Sequence, residues 1–365
     1  MREQVRPVRL IKYLGSKRLF VPVIGELLNA TGAQNALDLF TGTTRVAQEF
    51  CRRGAFTYAV DTATYSEVLA QCYVETDAMN VDQDEVDRAL RHLSSLPPKR
   101  GYFTRVFCEE SRYFHPDNGA RIDAIREGID EYYADSPLRP ILLTSLLEAA
   151  DAVDSTVGLQ MAYLKQWAPR ALKPLELKSP VLTPGTGKAI RGSAPEVVAT
   201  LPHIDFAYLD PPYNQHRYFT NYHVWETLIR NDEPEYYGIA CKRMDARDEE
   251  TKSPFNQRSQ IGPALEQILR DLDAGAVALS FSDEGFLPLE QLVEYCEARG
   301  GAVEVLEFEN KRHVGSQIGI HNLDGQKVGT PGPAKNLEYI ILQGDPESVR
   351  ALIDGAVPRT GSQLP

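Results

Sequence analysis

The feature that most constrains the fold is a short apolar segment that ends in Asp210-Pro211-Pro212-Tyr213. The apolar run Asp205–Leu209 predicts a buried parallel strand. Ligands of open α/β sheets bind just beyond the carboxyl ends of such strands. The two prolines fix φ and remove two N–H donors, so the loop leaves the sheet stiffly while its carbonyls still accept hydrogen bonds. The sequence therefore predicts an α/β sheet whose edge carries a carboxylate, a carbonyl and an aromatic ring.

That edge suits an exocyclic amine on a planar ring. Such an amine is a weak nucleophile, because its lone pair is delocalised into the ring. The carboxylate of Asp210 and the carbonyl of Pro211 would accept its two hydrogens, and Tyr213 would stack on the ring, as pockets for flipped bases require. The alternative is that the prolines only end a strand and that Asp210 caps the next turn. The position after an apolar strand, with a second candidate site upstream, favours the functional interpretation.

The second candidate site lies near the N-terminus. Lys12–Lys17 is a turn with a glycine before a helical pattern, where Lys17 places a positive charge suited to a carboxylate. Ala36–Phe40 predicts a first strand, and a glycine turn and the helix Arg45–Arg53 follow it. Such strand–turn–helix units bind nucleotides. A surface turn before a helix is the alternative for the first of these segments.

A second strand is predicted over Thr57–Asp61. Its last residue lies about 19 residues after Gly42, the distance at which an acid typically bonds ribose hydroxyls. A solvated aspartate at a strand end is the alternative. The GxGxxG fingerprint of NAD sites does not occur in the sequence, which argues against NAD as the ligand.

With these segments in this order, the sequence resembles the Dam-like, D12 class of adenine-N6-specific DNA methyltransferases. The resemblance rests on Lys12–Lys17, Asp38–Gly42 and Asp210–Tyr213, and it spans about residues 10–345. It implies a Rossmann-like, seven-stranded sheet of an S-adenosylmethionine-dependent methyltransferase, with a helical target-recognition insert. One departure is Thr44, where many members carry a second glycine.

The resemblance also implies roles for particular residues. The catalytic residues would be Asp210, Pro211, Pro212 and Tyr213. The S-adenosylmethionine site would contain Tyr13, Ser16, Lys17, Asp38, Phe40, Gly42, Asp61 and Ser193, with Lys17 on the donor's carboxylate, Asp38 on its ammonium group and Ser193 near its adenine. DNA contacts are expected from Arg217, Tyr218, Asn221, Lys311 and Arg312.

The predicted domains follow from the change of pattern along the chain. Residues 1–66 and 184–345 would form the catalytic domain, 67–183 a helical insert that recognises the target, and 346–365 a C-terminal tail. From Tyr65 to Thr183 the periodicity is helical, and no strand is indicated. Further strands are predicted over Lys188–Arg191, Ala276–Ser282, Ala302–Glu309 and Leu337–Leu342. The last two should form a long hairpin, so that the final strand is antiparallel.

Aromatic residues are concentrated after Tyr213, and they predict a lid over a flipped base. They are His216, Tyr218, Phe219, Tyr222, His223 and Trp225. The alternative is that Tyr222, Trp225 and Leu228 form the buried face of a helix, which is the favoured interpretation for Trp225. Alternating aromatic and basic residues in the insert suit either DNA contacts or a core with basic side chains that reach solvent.

Composition limits the remaining options. The net charge of −12 argues against a protein coated in basic charge, although basic clusters exist locally. Five scattered cysteines without a CxxC pair indicate a reducing, cytoplasmic location. The histidines lack metal-ligand spacing, so no metal is expected. No apolar run reaches the length of about 18 residues needed for a membrane span.

The predicted function is transfer of a methyl group from S-adenosylmethionine to N6 of a flipped adenine in double-stranded DNA. A monomer is expected, with a cognate restriction endonuclease as a possible partner. Three alternatives remain open: methylation of cytosine N4, methylation of RNA or of a protein amide, and a catalytically inactive DNA-binding protein with this fold.

Overall fold

Seven strands form one sheet in the computed structural model, which describes residues 11–13, 17–311 and 335–356. In chain order the strands are β1 (Asn35–Leu39), β2 (Phe56–Asp61), β3 (Gly187–Arg191), β4 (Ile204–Leu209), β5 (Tyr236–Tyr237), β6 (Lys242–Arg243), β7 (Ala274–Ser282), β8 (Ala302–Lys311) and β9 (Lys335–Gly344). The short β5 and β6 pair with each other in a separate ribbon. The order across the main sheet is β3-β2-β1-β4-β7-β9-β8, which confirms the predicted seven-stranded Rossmann-like sheet.

The central strands explain why the sheet is buried. Leu37 and Leu39 of β1 and Ile204 and Phe206 of β4 have no measurable exposure. Strands of this kind are covered on both faces by helices, so they lack the polar alternation of an exposed sheet. The pairs β1–β2, β1–β4, β2–β3 and β4–β7 are all parallel, so their carboxyl ends meet at one edge.

The last two strands form the predicted hairpin. β9 lies between β7 and β8 and is antiparallel to both. The pairing of β8 with β9 continues to Lys311 opposite Lys335. The beginning of β9 therefore lies at the same edge of the sheet as the end of β7, where Ser282 pairs with Glu338.

Helices cover the sheet and build the insert. They are α1 (Val21–Thr31), α2 (Arg45–Arg52), α3 (Thr64–Ala70), α4 (Gln83–Ser95), α5 (Tyr102–Thr104), α6 (Pro116–Tyr133), α7 (Arg139–Ala152), α8 (Ala194–Val198), α9 (Tyr218–Asn221), α10 (His223–Arg230), α11 (Ile261–Asp271), α12 (Leu289–Glu297) and α13 (Pro346–Ala356). Two π-helical turns, Gln71–Glu75 and Arg105–Glu110, extend α3 and α5. Such turns are uncommon and frequently occur at functional sites.

The prediction of a helical segment is correct as far as α7 and wrong beyond it. Between Tyr65 and Ala152 the described chain is mainly helical and contains no strand. Residues 153–183 are irregular apart from the 3-10 turn Pro169–Leu172. Within 153–168, which contains no proline, Gly158 at φ 100° departs from helical geometry. From Pro169 onward, Pro169, Pro174 and Pro180 recur too closely to leave room for an α-helix, because each lacks the N–H that a helix interior requires.

The cores of the molecule cross the predicted domain boundaries. Residues Tyr222, Val224 and Trp225 pack in the same hydrophobic cluster as the helices of the insert. Trp225 is 2% exposed, which confirms its assignment to a buried helix face. At the other end of the chain, α13 packs against α1, with Leu352 in the core beside the sheet.

The described residues contain neither a membrane-spanning helix nor a cluster of metal-binding side chains. None of the helices has both the length and the apolar character needed to cross a membrane. Within the same ranges, no group of three or more His, Cys, Asp or Glu side chains is arranged to hold a metal ion. All five cysteines are buried and unpaired.

Candidate active site

A cavity of about 370 Å³ opens at the carboxyl ends of β1 to β4. It is lined by side chains from the N-terminal segment, from the ends of these strands and from the segment after β4. Eleven of the predicted site residues meet there: Tyr13, Lys17, Asp38, Phe40, Gly42, Asp61, Ser193, Asp210, Pro212, Arg217 and Tyr218. The position agrees with the rule that open α/β sheets bind ligands at this edge.

The turn after β1 is held in an unusual backbone conformation. Phe40, Gly42 and Thr44 have φ values of 73°, 52° and 62°. A Cβ atom at Gly42 would lie 3.0 Å from the Tyr13 ring, so a glycine here lets the backbone approach that ring. Thr44 keeps the left-handed conformation that suits glycine. Its hydroxyl donates to the Thr43 carbonyl at 2.7 Å and accepts from Gln48 at 2.9 Å.

Two aspartates that end neighbouring strands hold this turn. Asp38 Oδ2 accepts from the Thr41 hydroxyl at 2.7 Å and from the Ala47 amide at 3.0 Å. Burial raises the pKa of Asp38 to about 7, although these two hydrogen bonds oppose the shift. Asp61 accepts from the amides of Gly42 at 2.9 Å and Ala63 at 3.0 Å. Burial raises the pKa of Asp61 too, against the effect of the backbone hydrogen bonds.

A third buried acid, Asp210, lies just after β4. Its Oδ1 atom is 3.2 Å from the Lys17 ammonium nitrogen, which is also 3.2 Å from Oε2 of Glu338 on β9. Burial raises the pKa of Asp210, although Lys17 and a hydrogen bond with Ser280 both lower it. Burial also opposes the charge on Lys17, but the two carboxylates outweigh it and hold the pKa of Lys17 well above its usual value. The prediction pairs Lys17 with the donor's carboxylate, whereas the structure pairs it with two protein carboxylates.

The rest of the tetrapeptide forms a stiff exit from the sheet. The Asp210 amide donates to the Leu39 carbonyl at 3.4 Å, which holds the start of the loop on the neighbouring strand. The Tyr213 carbonyl accepts from the Phe286 amide at 2.8 Å. The centre of the Tyr213 ring is 5.5 Å from the centre of the Phe281 ring. Pro211 is buried, whereas Pro212 lines the cavity.

Four tyrosines form an aromatic wall beside the cavity: Tyr13 and Tyr218 line it, whereas Tyr65 and Tyr222 are buried in the adjoining core. Tyr13 stacks on Tyr222 at 4.6 Å and on Tyr218 at 5.4 Å between ring centres. Tyr65 meets Tyr13 edge-on, and their hydroxyl oxygens are 3.2 Å apart. The aromatic wall therefore joins the N-terminal segment, α3 and the segment after the tetrapeptide.

Comparison with known proteins decides the family. The family model of the D12 class N6 adenine-specific DNA methyltransferases matches residues 13–282, most of the chain. The chain belongs to this family. The match includes Asp210–Tyr213 and both strand-end aspartates, but it ends before β8 and β9.

Individual relatives agree with this assignment. The type II methyltransferase M.NlaIII of Neisseria lactamica is 30% identical over 317 residues, which are 83% of this chain and 92% of that protein. M.CviAII of Paramecium bursaria Chlorella virus 1 is 27% identical, with 83% and 92% covered. The modification methylase StsI of Streptococcus sanguinis is 28% identical over 84% of this chain, which spans about half the length of StsI.

Not every predicted residue of this D12-class protein lies in the cavity. Asn221 is buried at 4% exposure, and its carbonyl accepts from the Gln160 amide at 2.9 Å. Contact between Asn221 and DNA would therefore require α9 to move. Ser16 and Arg312 lie outside the described residues, and for Lys311 the backbone alone is described, at the end of β8.

The cavity also contains residues that the sequence reasoning missed. Glu226 accepts from the amide and the hydroxyl of Thr64 at 3.0 and 2.7 Å, and it lines the cavity together with Arg191 and Arg230. The segment 250–256 closes another side. No local motif marks these residues. Glu338, which contacts Lys17 from outside the cavity lining, carried a usable signal, since it is an acid within the apolar run Leu337–Leu342.

Proposed function

We propose that this protein transfers a methyl group from S-adenosylmethionine to N6 of adenine in double-stranded DNA. The observation that carries the proposal is the position of Asp210, which extends a buried parallel strand into the cavity beside the other strand-end acids. Membership of the D12 family and the similarity to type II modification methylases support the same substrate and the same base. A restriction endonuclease as partner and a monomeric state belong to this proposal.

The residues of the cavity fit a cationic methyl donor. S-adenosylmethionine supplies an electrophilic methyl group on a positively charged sulfur. Asp38, Asp61 and Asp210 all line the cavity, and burial raises the pKa of each, so a cation bound nearby would stabilise their charged forms. Gly42 leaves room beside the Tyr13 ring that any side chain would fill. We assign Tyr13, Ser16, Lys17, Asp38, Phe40, Gly42, Asp61 and Ser193 to the donor site.

The tetrapeptide is assigned to the target amine. The Asp210 carboxylate and the Pro211 carbonyl would accept its two hydrogens and so direct the nitrogen lone pair away from the ring. The nitrogen would form a bond to the methyl carbon as the methyl–sulfur bond breaks, and the electron pair of that bond would leave on the neutral thioether sulfur of S-adenosylhomocysteine. The methylated nitrogen would then lose one proton, for which Asp210 is the adjacent base. Rate enhancement of this kind comes from positioning and electrostatics, and no covalent enzyme intermediate is needed.

Aromatic and basic residues around the cavity are assigned to DNA. Tyr213 would stack on the flipped base, and stacking on aromatic rings is what extruded bases require. Arg217 and Tyr218 line the cavity immediately after the tetrapeptide and are suited to the adjoining backbone. Asn221, Lys311 and Arg312 remain predicted DNA contacts.

The test is methyl transfer from labelled S-adenosylmethionine to unmethylated genomic DNA, with Asp210→Ala beside the wild type. The variant should lose at least about a hundredfold in rate. It should bind the donor nearly as well as the wild type in calorimetry. Asp205→Asn is the matched control, because Asp205 lies at the opposite end of the same strand and bonds the amides of Gln34 and Asn35.

Digestion of the product to nucleosides identifies the base. Label in N6-methyladenine from the wild type, and none from Asp210→Ala, supports the proposal. Label in N4-methylcytosine would keep the mechanism and change the substrate. Full methylation by Asp210→Ala would contradict the role of the tetrapeptide.

A further inference from the structure

We infer that Glu338 is a positioning residue of the methyl-transfer site, which acts on Asp210 through Lys17. The inference rests on the proposed function. Glu338 lies beyond residues 13–282, the part of the chain that the family model matches, so membership of the family does not assign it. The contacts that carry the inference come from three separate parts of the chain.

The register of the sheet brings Glu338 to the active edge. β4 pairs in parallel with β7, so Leu209 lies opposite Leu279, and Ser280 follows beside Asp210. β9 runs antiparallel along the other side of β7, with Glu338 opposite Ser282. The first residues of β9 are therefore at the edge where the parallel strands end, and Glu338 is one strand further from Asp210 than Ser280.

Lys17 fills the space between the two acids. Its ammonium nitrogen is 3.2 Å from a carboxylate oxygen of each, and the side chains of Lys17 and Glu338 are 9% and 7% exposed. The Lys17 carbonyl accepts from the amides of Phe20 and Val21 at 2.7 and 2.9 Å, which anchors Lys17 at the start of α1. If the anchored ammonium moved toward one carboxylate, the other carboxylate would remain buried without a counter-charge. The desolvation cost of that unpaired charge is large, so Lys17 stays between the two acids.

The sharing determines how much negative charge Asp210 presents. If Lys17 paired with Asp210 alone, the ammonium would neutralise the carboxylate that must accept the hydrogens of the amine. Glu338 takes part of that interaction, because it attracts the same ammonium at the same distance. Glu338 itself does not appear among the described residues that line the cavity, so it would not touch donor or base.

Other ionisable groups surround the three residues. Asp38 and the side chains of Tyr208, Tyr213 and Tyr218 interact electrostatically with Asp210. Asp283 interacts with Glu338. The two carboxylates also repel each other directly, so removal of the Glu338 charge lowers the pKa of Asp210 both directly and through Lys17, which lies 3.2 Å from each acid.

The test substitutes Glu338 and follows single-turnover methyl transfer against pH. Single-turnover rates are needed because product release limits many transferases. Glu338→Gln keeps the shape and removes the charge, so Lys17 should pair with Asp210 alone. We expect the rate near neutral pH to fall about tenfold, and the acid limb of the profile to move about one unit lower. The donor's Kd and the KM for DNA should change less than about threefold.

Two further variants separate positioning from support of the fold. Glu338→Asp keeps the charge and should restore most of the rate and the wild-type acid limb. Glu307→Gln removes an exposed acid from the neighbouring β8, where Glu307 pairs with Tyr339, and should match the wild type. A Glu338→Gln protein with an unshifted profile would overturn the inference, whether its rate is normal or is reduced together with thermal stability.

An independent readout does not require activity. Nuclear magnetic resonance of isotope-labelled aspartate carboxyl carbons, with the signal assigned from Asp210→Asn, follows the ionisation of Asp210 directly. In Glu338→Gln its midpoint should move to lower pH, and an unmoved midpoint would contradict the inference. If the Asp210 midpoint shifts between the wild type and Glu338→Gln but the wild type does not methylate DNA, the proposed function is disproved and the effect of Glu338 on Asp210 is not.

Discussion

The two walls of the cavity differ in how their buried polar groups are satisfied. On the sheet side, Asp38, Thr41 and Asp61 make short hydrogen bonds within the turn that they hold, and one cavity-lining hydroxyl, that of Tyr208, is buried without a partner among the described residues. On the side of α9 and α10, four consecutive or nearly consecutive residues each bury a side-chain atom that lacks a hydrogen-bond partner in the described protein: Thr220, Asn221, His223 and Trp225. Such atoms cost stability, because they have lost contact with solvent without replacement.

The difference shows which side of the site has most of its polar groups hydrogen-bonded before donor or DNA binds. The sheet side has regular strands, and Asp38 and Asp61 are fixed by backbone amides of the turn after β1, of α2 and of the segment before α3. The α9–α10 side is held by aromatic packing and by distant side chains, among them Arg126, which donates to the Leu228 and Ile229 carbonyls, and Gln160. The Gln160 Oε1 atom accepts from the amides of Val224 and Trp225 at 3.0 and 3.3 Å. We therefore expect the sheet side to determine chemistry and donor binding, and the α9–α10 side to respond to DNA.

The pH dependence of donor affinity is the largest effect expected if the sheet side binds the donor and the α9–α10 side responds to DNA. Asp38 has a pKa of about 7, and a donor ammonium beside it requires the ionised form. The donor's amine stays mainly protonated below its pKa of about 7.7–8.0. Lowering the pH from 7.5 to 6 protonates Asp38, so donor affinity in calorimetry should fall roughly tenfold.

Asp38→Asn is the variant that identifies the source of this pH dependence. It keeps the size and one acceptor of Asp38, and it should bind the donor weakly and almost equally at pH 7.5 and 6. Asp205→Asn, at the far edge of the sheet, should keep the wild-type slope. A wild-type slope in Asp38→Asn would show that another group controls donor binding, and the assignment of Asp38 to the ammonium would then be wrong.

How much of this site is predictable follows from how local each feature is. Asp38, Gly42 and Asp61 lie in one strand–turn–helix–strand unit, and Asp210 directly follows β4, so local patterns are enough to bring all four to the edge of the sheet where the cavity opens. Glu338 reaches the site because β9 inserts between β7 and β8. Periodicity within β9 contains no information about that pairing, although an acid in an apolar strand marks the residue as unusual.

The α9–α10 side was harder to predict for the same reason. The aromatic residues after Tyr213 are visible in the sequence, but the hydrogen bonds of Gln160 to Val224 and Trp225 span about sixty residues. Gln160 also lies in residues 153–183, where the prediction of a helix fails. The sequence shows that rings collect there, whereas only the fold shows which of them line the cavity and which are core.

Gln160 offers a test of the α9–α10 side, with an intermediate effect. Gln160→Ala removes the side chain that caps the first amides of α10, and loss of a cap typically costs about 1–2 kcal/mol. We expect a lower midpoint in calorimetric unfolding and a higher KM for DNA, with the donor's Kd nearly unchanged. Gln166→Ala, an exposed glutamine of the same loop, should leave all three unchanged. A Gln160→Ala protein that loses donor affinity and keeps the KM for DNA would contradict the division between the two sides.

The smallest expected effect is the difference in stability between a threonine-to-valine substitution on the sheet side and the same substitution on the α9–α10 side. Thr57 of β2 is buried and its hydroxyl donates to the Ala55 carbonyl at 3.1 Å, whereas the buried hydroxyl of Thr220 has no partner in the described structure. Threonine to valine changes the hydroxyl to a methyl group of similar shape. Thr57→Val should therefore destabilise by about 1 kcal/mol, and Thr220→Val should be neutral or stabilising by a few tenths. Denaturant unfolding of the two variants measures the difference. Equal losses would mean that the Thr220 hydroxyl is satisfied after all, and α9 would then be as complete as the sheet.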